Sequence, residues 1–208
     1  MKFLTILAHF GDRELAYGII NSLCSFAEGY SYTLCKGRFL HDSQARKEVH
    51  NQVSKDLNIK DTFGVYNDLS LPTRKTEELV DNISNLLNTI KPDFVVIHSE
   101  DDLHQDHQYL SKASKIAIQE YLKTNNVKVV EVLNNNIFVN IDNFFSFDLD
   151  DATLSTKQEV LKGYYTEKFD PESPEHKTEF FKVYEKLHKK IQKHNVFNSK
   201  SFKNFLKP

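Results

Sequence analysis

The chain has 208 residues, with 39% hydrophobic and 27% charged side chains and a net charge of −2. That length can bury a core without disulfide or metal staples, and it fits one domain. The balanced charge gives no global basic field, which excludes a simple nucleic-acid or anionic-lipid binder.

The apolar run over 3–8 predicts a first strand covered on both faces. It meets His9, Asp12, Arg13 and Glu14 at once, without a small-residue cleavage site, so it reads as a strand and not as a leader. The spacing of Leu15, Ile19, Leu23 and Phe26 predicts a helix over 14–27, stopped by Gly29. A second strand is expected over 30–35, with a loop from Gly37. Asp42 and Ser43 can cap a helix reaching 57, with Ala45, Val49, Val53 and Leu57 inward. A short strand over 61–66 precedes a helix over 74–90 with Leu79, Ile83, Leu86, Leu87 and Ile90 as its stripe. Lys91-Pro92-Asp93 ends that helix. The run Phe94-Val95-Val96-Ile97-His98 is a fourth strand. A polar loop over 99–105, a helix over 106–122 and a strand over 127–133 follow.

This alternation predicts an α/β fold, a Rossmann-like parallel sheet flanked by helices with right-handed crossovers. Residues 134–208 read as a smaller C-terminal portion that packs on the 1–133 core within a single domain. Short extended pieces are expected at 137–141 and 144–149, and helices over 153–165 and 175–194, with a proline-bearing loop at 169–174. Lys186, Lys189, Lys190 and Lys193 read as a solvated helix face, or else as a hold for an anionic substrate. Cys24 and Cys35 read as reduced thiols of a cytoplasmic protein. No stretch approaches the length of a transmembrane helix.

In open α/β sheets, ligands bind beyond the carboxyl ends of strands where the strand order reverses. Two expected strand ends here carry polar clusters. The first holds His9 and Asp12, three residues apart, so that an imidazole and a carboxylate can converge. The other holds His98, Asp101, Asp102, His104, Asp106 and His107, with His104 and His107 on one face of a helix start. Two imidazoles and one carboxylate suit catalytic zinc, and equally other divalent metals. No GxGxxG, GKS/GKT loop or GxSxG elbow occurs.

The segments Ala8-His9-Phe10-Gly11-Asp12-Arg13-Glu14 and His104-Gln105-Asp106-His107 resemble the AHPDDE and HxDH motifs of the PIG-L/LmbE family of metal-dependent N-deacetylases. The helix bearing Gln44-Ala45-Arg46, the turn Asn67-Asp68-Leu69-Ser70-Leu71 and the segment from Lys157 to Tyr165 resemble further parts of that family. The resemblance implies His9, Asp12 and His107 as ligands of zinc or another divalent metal. It implies His104 as the group that steadies the oxyanion, Asp106 as a support for a histidine, and Arg46 as a substrate contact. The substrate implied is a small amino-sugar compound carrying an N-acetyl group.

The family's general base is the first aspartate of AHPDDE, and here that position is Gly11. Glu14, Glu100, Asp101 and Asp106 are candidate replacements, with Asp106 beside His104 the favoured pair. Three classes stay open: an N-deacetylase with a rearranged base, a related metal-dependent reaction on a sugar or nucleotide conjugate, and a non-catalytic metal-binding relative. Tyr17, Arg38, Asn67 and Asp102 join Arg46 as weaker pocket candidates.

Overall fold

The computed structural model describes residues 1–36, 40–134, 144–164, 178–184 and 196–206. The elements are β1 (Lys2–Leu7), α1 (Asp12–Leu15), α2 (Tyr17–Cys24), β2 (Glu28–Cys35), α3 (Leu40–Asp56) and β3 (Ile59–Tyr66). A single 3₁₀ turn (Leu71–Thr73) leads into α4 (Thr76–Ile90), β4 (Phe94–His98), α5 (Gln105–Tyr121) and β5 (Lys128–Leu133). The last described elements are β6 (Phe145–Asp148), α6 (Asp151–Tyr164), β7 (Thr178–Tyr184), β8 (Val196–Phe197) and α7 (Ser199–Leu206).

The described strands form one sheet in the order β3-β2-β1-β4-β5-β7-β6-β8. β1 pairs in parallel with β2 on one side and β4 on the other, and β3 and β5 extend the parallel set. Only β7 runs against its neighbours β5 and β6.

Successive residues of a strand point to opposite faces, which is why the apolar runs serve two cores. Leu4 and Ile6 of β1 join Val95, Ile97, Leu79, Ile83 and Leu110 under α4 and α5. Phe3 and Leu7 join Phe94, Val96, Ile19, Leu23 and Phe202 under α2 and α7. The result is helix, sheet, helix.

Several expectations are corrected. The helix foreseen over 14–27 is two pieces, α1 and α2, which break at Ala16 (φ −97°, ψ 30°). Ala45 of α3 is exposed, while Val53 is inward as expected and shares the buried face with His50 and Ser54. That polar face turns inward because it covers a buried arginine, described below. The helix foreseen over 175–194 contains β7 instead. Glu179 and Phe181 alternate inward there, and the segment finds ladder partners on both sides. The segment lies between β5 and β6 and pairs with both, so tertiary partners override its local reading as a helix. The extended piece at 137–141, the loop at 169–174, Arg38 and Lys186, Lys189, Lys190 and Lys193 lie outside the described residues.

Cys24 and Cys35 are both free thiols. No helix among the described residues is long and apolar enough to cross a membrane.

Candidate metal centre

The strand order reverses at β1, whose successor β2 lies on one side while β4 lies on the other. The crevice beyond the carboxyl ends of β1 and β4 is therefore where the fold accepts ligands. Both polar clusters open into it.

His9 leaves β1 in a tight turn. Its backbone N–H donates to Asp12 Oδ2 at 2.7 Å, and Asp12 N–H donates back to His9 O at 3.3 Å. Gly11 takes φ 105°, a left-handed conformation suited to glycine, and its carbonyl accepts the first helical bond from Leu15. On the other segment, His104 caps α5, with its Nδ1 accepting from Asp106 N–H at 3.2 Å. His107 follows one turn on, buried.

These turns bring three donor atoms together. His9 Nδ1 lies 3.1 Å from His107 Nε2, His9 Nδ1 lies 3.3 Å from Asp12 Oδ2, and His107 Nε2 lies 3.3 Å from Asp12 Oδ2. Ligands on one tetrahedral zinc with 2.0–2.1 Å bonds stand about 3.3 Å apart, so the triangle matches one face of such a shell. The outward nitrogens are anchored too. His107 Nδ1 meets Asp102 Oδ2 at 3.0 Å, and His9 Nε2 meets Asp106 Oδ2 at 3.0 Å. The carboxylate is hydrogen-bonded to the ring at His9 and stands in ion-pair contact at His107, and in each case it favours the tautomer whose lone pair faces inward. The residues fit a divalent metal.

The same carboxylates set the protonation. Burial opposes a charge on His107, but Asp12 and Asp102 outweigh it and push its pKa up to about 9. Burial also opposes a charged His9, and Asp12 and Asp106 again outweigh it, raising the pKa. The 3.1 Å contact between the rings has room for one proton, so the pair gains it jointly. Burial works against the Asp12 anion, yet His107, His9 and His98 hold it ionised.

His104 stands edge-on to His9, with ring centroids 4.7 Å apart. Burial, then His107 and His9, lower its pKa, so it is neutral. Because Nδ1 accepts from the backbone, Nε2 carries the proton and is a hydrogen-bond donor. The favoured pairing fails at the side chain: Asp106 meets the His104 ring through its backbone N–H and not through its carboxylate. Its carboxylate takes His9 Nε2 and the amides of Leu69 (2.6 Å) and Leu71 (3.1 Å).

Of the other base candidates, Glu14 is fully buried, 2.7 Å from Arg13 Nη2 and 3.2 Å from His50 Nδ1. Glu100 pairs with Lys115 at 3.0 Å, and Asp101 pairs with Lys182. Arg46 sits on α3 one turn before His50, half-buried, and His50 stacks edge-on with Phe10. Arg13, itself buried, also holds Asp61 (3.0 Å) and the His50 carbonyl (3.0 Å), bracing the loop after β1 from behind.

Three residues named in the sequence without a role at the metal sit against these donors. His98 ends β4, stacks on His107 with centroids 3.8 Å apart, and approaches Asp12 at 3.2 Å. A polar residue closing an otherwise apolar strand was its signal. Asp102, foreseen in the polar cluster and as a weaker pocket candidate, backs His107 and also accepts from His104 N–H at 2.9 Å. Asp68 lies 3.9 Å from His9 Nε2.

Fold and cluster together define a doubly wound α/β protein with a switch-point crevice lined by imidazoles and carboxylates. The chain belongs to the PIG-L family, described as GlcNAc-PI de-N-acetylase, whose model matches residues 4–118, more than half of it. Among curated proteins none matches. Solved structures share the fold. Teicoplanin deacetylase in a zinc-inhibited form has a TM-score of 0.67 at 14% identity, covering 91% of this chain and 100% of its own. N,N'-diacetylchitobiose deacetylase from Pyrococcus horikoshii has a TM-score of 0.65 at 16% identity, covering 88% and 84%. The 4-carboxy-2-hydroxymuconate hydratase from Pseudomonas putida has a TM-score of 0.62 at 16% identity, covering 94% and 100%.

Proposed function

We propose that this protein is a metal-dependent hydrolase that removes the N-acetyl group from a small amino-sugar compound. The observation that carries the reading is the near-equilateral triangle of His9 Nδ1, Asp12 Oδ2 and His107 Nε2, with a carboxylate behind each imidazole. Family membership supports the reaction class.

His9, Asp12 and His107 would hold the metal, with Zn²⁺ the first candidate for two nitrogens and one carboxylate. When bound, it polarises an amide carbonyl and lowers the pKa of water. His104 donates from Nε2 to the carbonyl oxygen as that atom gains charge. Asp106 keeps His9 oriented. It is also the one carboxylate of the four base candidates seen touching a proposed ligand, so we assign it the proton. Burial works against its charge, but His9 and two loop amides hold its pKa down, which makes it a weak base. Turnover should therefore be slow, because a well-placed base is worth about 10²–10⁴-fold. Arg46 is the proposed substrate contact.

A second reading has its own observation. Gly11 offers no carboxylate, and a hydratase shares this fold, so the fold alone does not choose the reaction. Two measurements separate the readings. Elemental analysis of the purified protein beside a His107→Ala sample should find the divalent metal reduced in the variant; equal content would sink the site. Acetate release from N-acetylated amino sugars supports the deacetylase, and metal binding without acetate release favours the second reading.

A further inference from the structure

His9 belongs to a second group of donors. A ring nitrogen of His9, the thiol of Cys35 and a carboxylate oxygen of Asp68 all lie within 4.8 Å of one another. The fold places each. Cys35 closes β2, and its N–H donates to Ala8 O at 2.7 Å, which sets it beside the start of the His9 turn. Asp68 sits in the loop whose next residue, Leu69, takes φ 64°, an uncommon conformation for a side-chain-bearing residue. That conformation lets the Leu69 amide reach Asp106 at 2.6 Å, and the same loop sets Asp68 Oδ1 3.9 Å from His9 Nε2. Cys35 is buried and Asp68 partly so.

We propose that Cys35, Asp68 and His9 form a second cation site, for a thiophilic divalent ion such as Zn²⁺ or Cd²⁺, and that filling it competes with the first site for His9. Sulfur, oxygen and nitrogen donors together select such ions over Mg²⁺ or Ca²⁺. The thiol loses its proton to solvent as the metal–sulfur bond forms. Three protein donors leave a fourth tetrahedral position for water. The competition follows from the imidazole, because a neutral ring has one lone pair and one N–H. When His9 Nδ1 faces Asp12 and His107, Nε2 carries the proton to Asp106. To serve the second ion at Nε2, the ring must give up its place at the first. The competition rests on the reading of His9 as a ligand in the first site; the thiolate site does not.

Metal-free protein is titrated with Cd²⁺ while the ultraviolet thiolate-to-cadmium charge-transfer absorption is recorded, and the bound metal is counted by equilibrium dialysis. The wild type should bind one equivalent tightly and a second more weakly, because both draw on His9, and only the thiolate-bound ion should develop the absorption. Cys35→Ser should abolish the absorption and weaken that equivalent by more than about tenfold. Asp68→Asn should weaken it while keeping the thiol, and Cys24→Ser should leave both unchanged. His107→Ala should lose the other equivalent and keep the absorption. An absorption missing from folded wild type, or surviving in Cys35→Ser, overturns the site. If His107→Ala still binds two equivalents, the first-site reading fails and the thiolate site stands. In protein preloaded with one equivalent of Co²⁺, added Cd²⁺ should change the visible cobalt spectrum less in Cys35→Ser than in the wild type. An identical response in both overturns the competition.

Discussion

Gly11 decides how much chemistry the neighbouring ligands can perform. Its φ of 105° is set by a turn that must bring Asp12 back over the His9 backbone. An L-residue there is strained, so Gly11→Asp should lower the melting temperature, by an amount corresponding to about 1 kcal/mol or more. It should also raise acetate release sharply if the base is missing. A rate equal to wild type would mean that another residue already takes the proton. Asp102 makes a second prediction at this scale. It is buried and turns Oδ2 to His107 Nδ1. Asp102→Asn should weaken first-site metal affinity by about 10–100-fold, read by dialysis against a chelator. Unchanged affinity would show that packing alone orients His107.

At the scale of elements, the parallel core and the ligand segments were legible because each rests on local signals. Continuous apolar runs mark β1 and β4, and polar clusters follow them directly. What was not legible depends on distant partners. β7 was read as a helix because its ladders to β5 and β6 come from remote segments. The inward polar face of α3 answers to Arg13, which precedes it by a strand. The role of Glu179 is the clearest instance. From β7 it crosses to α2, where Oε1 and Oε2 accept from Gly18 N–H (2.8 Å) and Ile19 N–H (2.9 Å), while Lys157 of α6 pairs with it at 2.9 Å. One buried carboxylate thus caps a helix and balances a buried lysine. Glu179→Gln should destabilise the protein by about 3 kcal/mol, because Lys157 is left without its counter-charge. Chemical denaturation checks this, and a loss under about 1 kcal/mol would show that water reaches Lys157 instead.

At the scale of the whole molecule, the cluster at the switch point ties stability to pH and metal together. Without metal, His107 has its folded pKa pushed up to about 9, against 6.5 when unfolded. Burial opposes this shift, and Asp12 and Asp102 more than offset it. The folded state then binds more protons than the unfolded state between those values. Its extra stability is complete below pH 6.5 and drains away as pH rises through about 9. His98 acts on the acid side. Burial and His107 lower its pKa to about 4, so the unfolded state takes the proton first, and stability falls as pH drops from 6.5 towards 4. A divalent ion replaces the proton that the His9–His107 pair holds, so its binding strengthens as that proton leaves. The metal-free melting temperature should therefore decline between about pH 6.5 and 9, while the increment from added Zn²⁺ widens over the same interval. His107→Ala should flatten both trends. Thermal melts at matched ionic strength, with and without Zn²⁺, test this. A zinc increment independent of pH would break the link between the metal and this histidine pair.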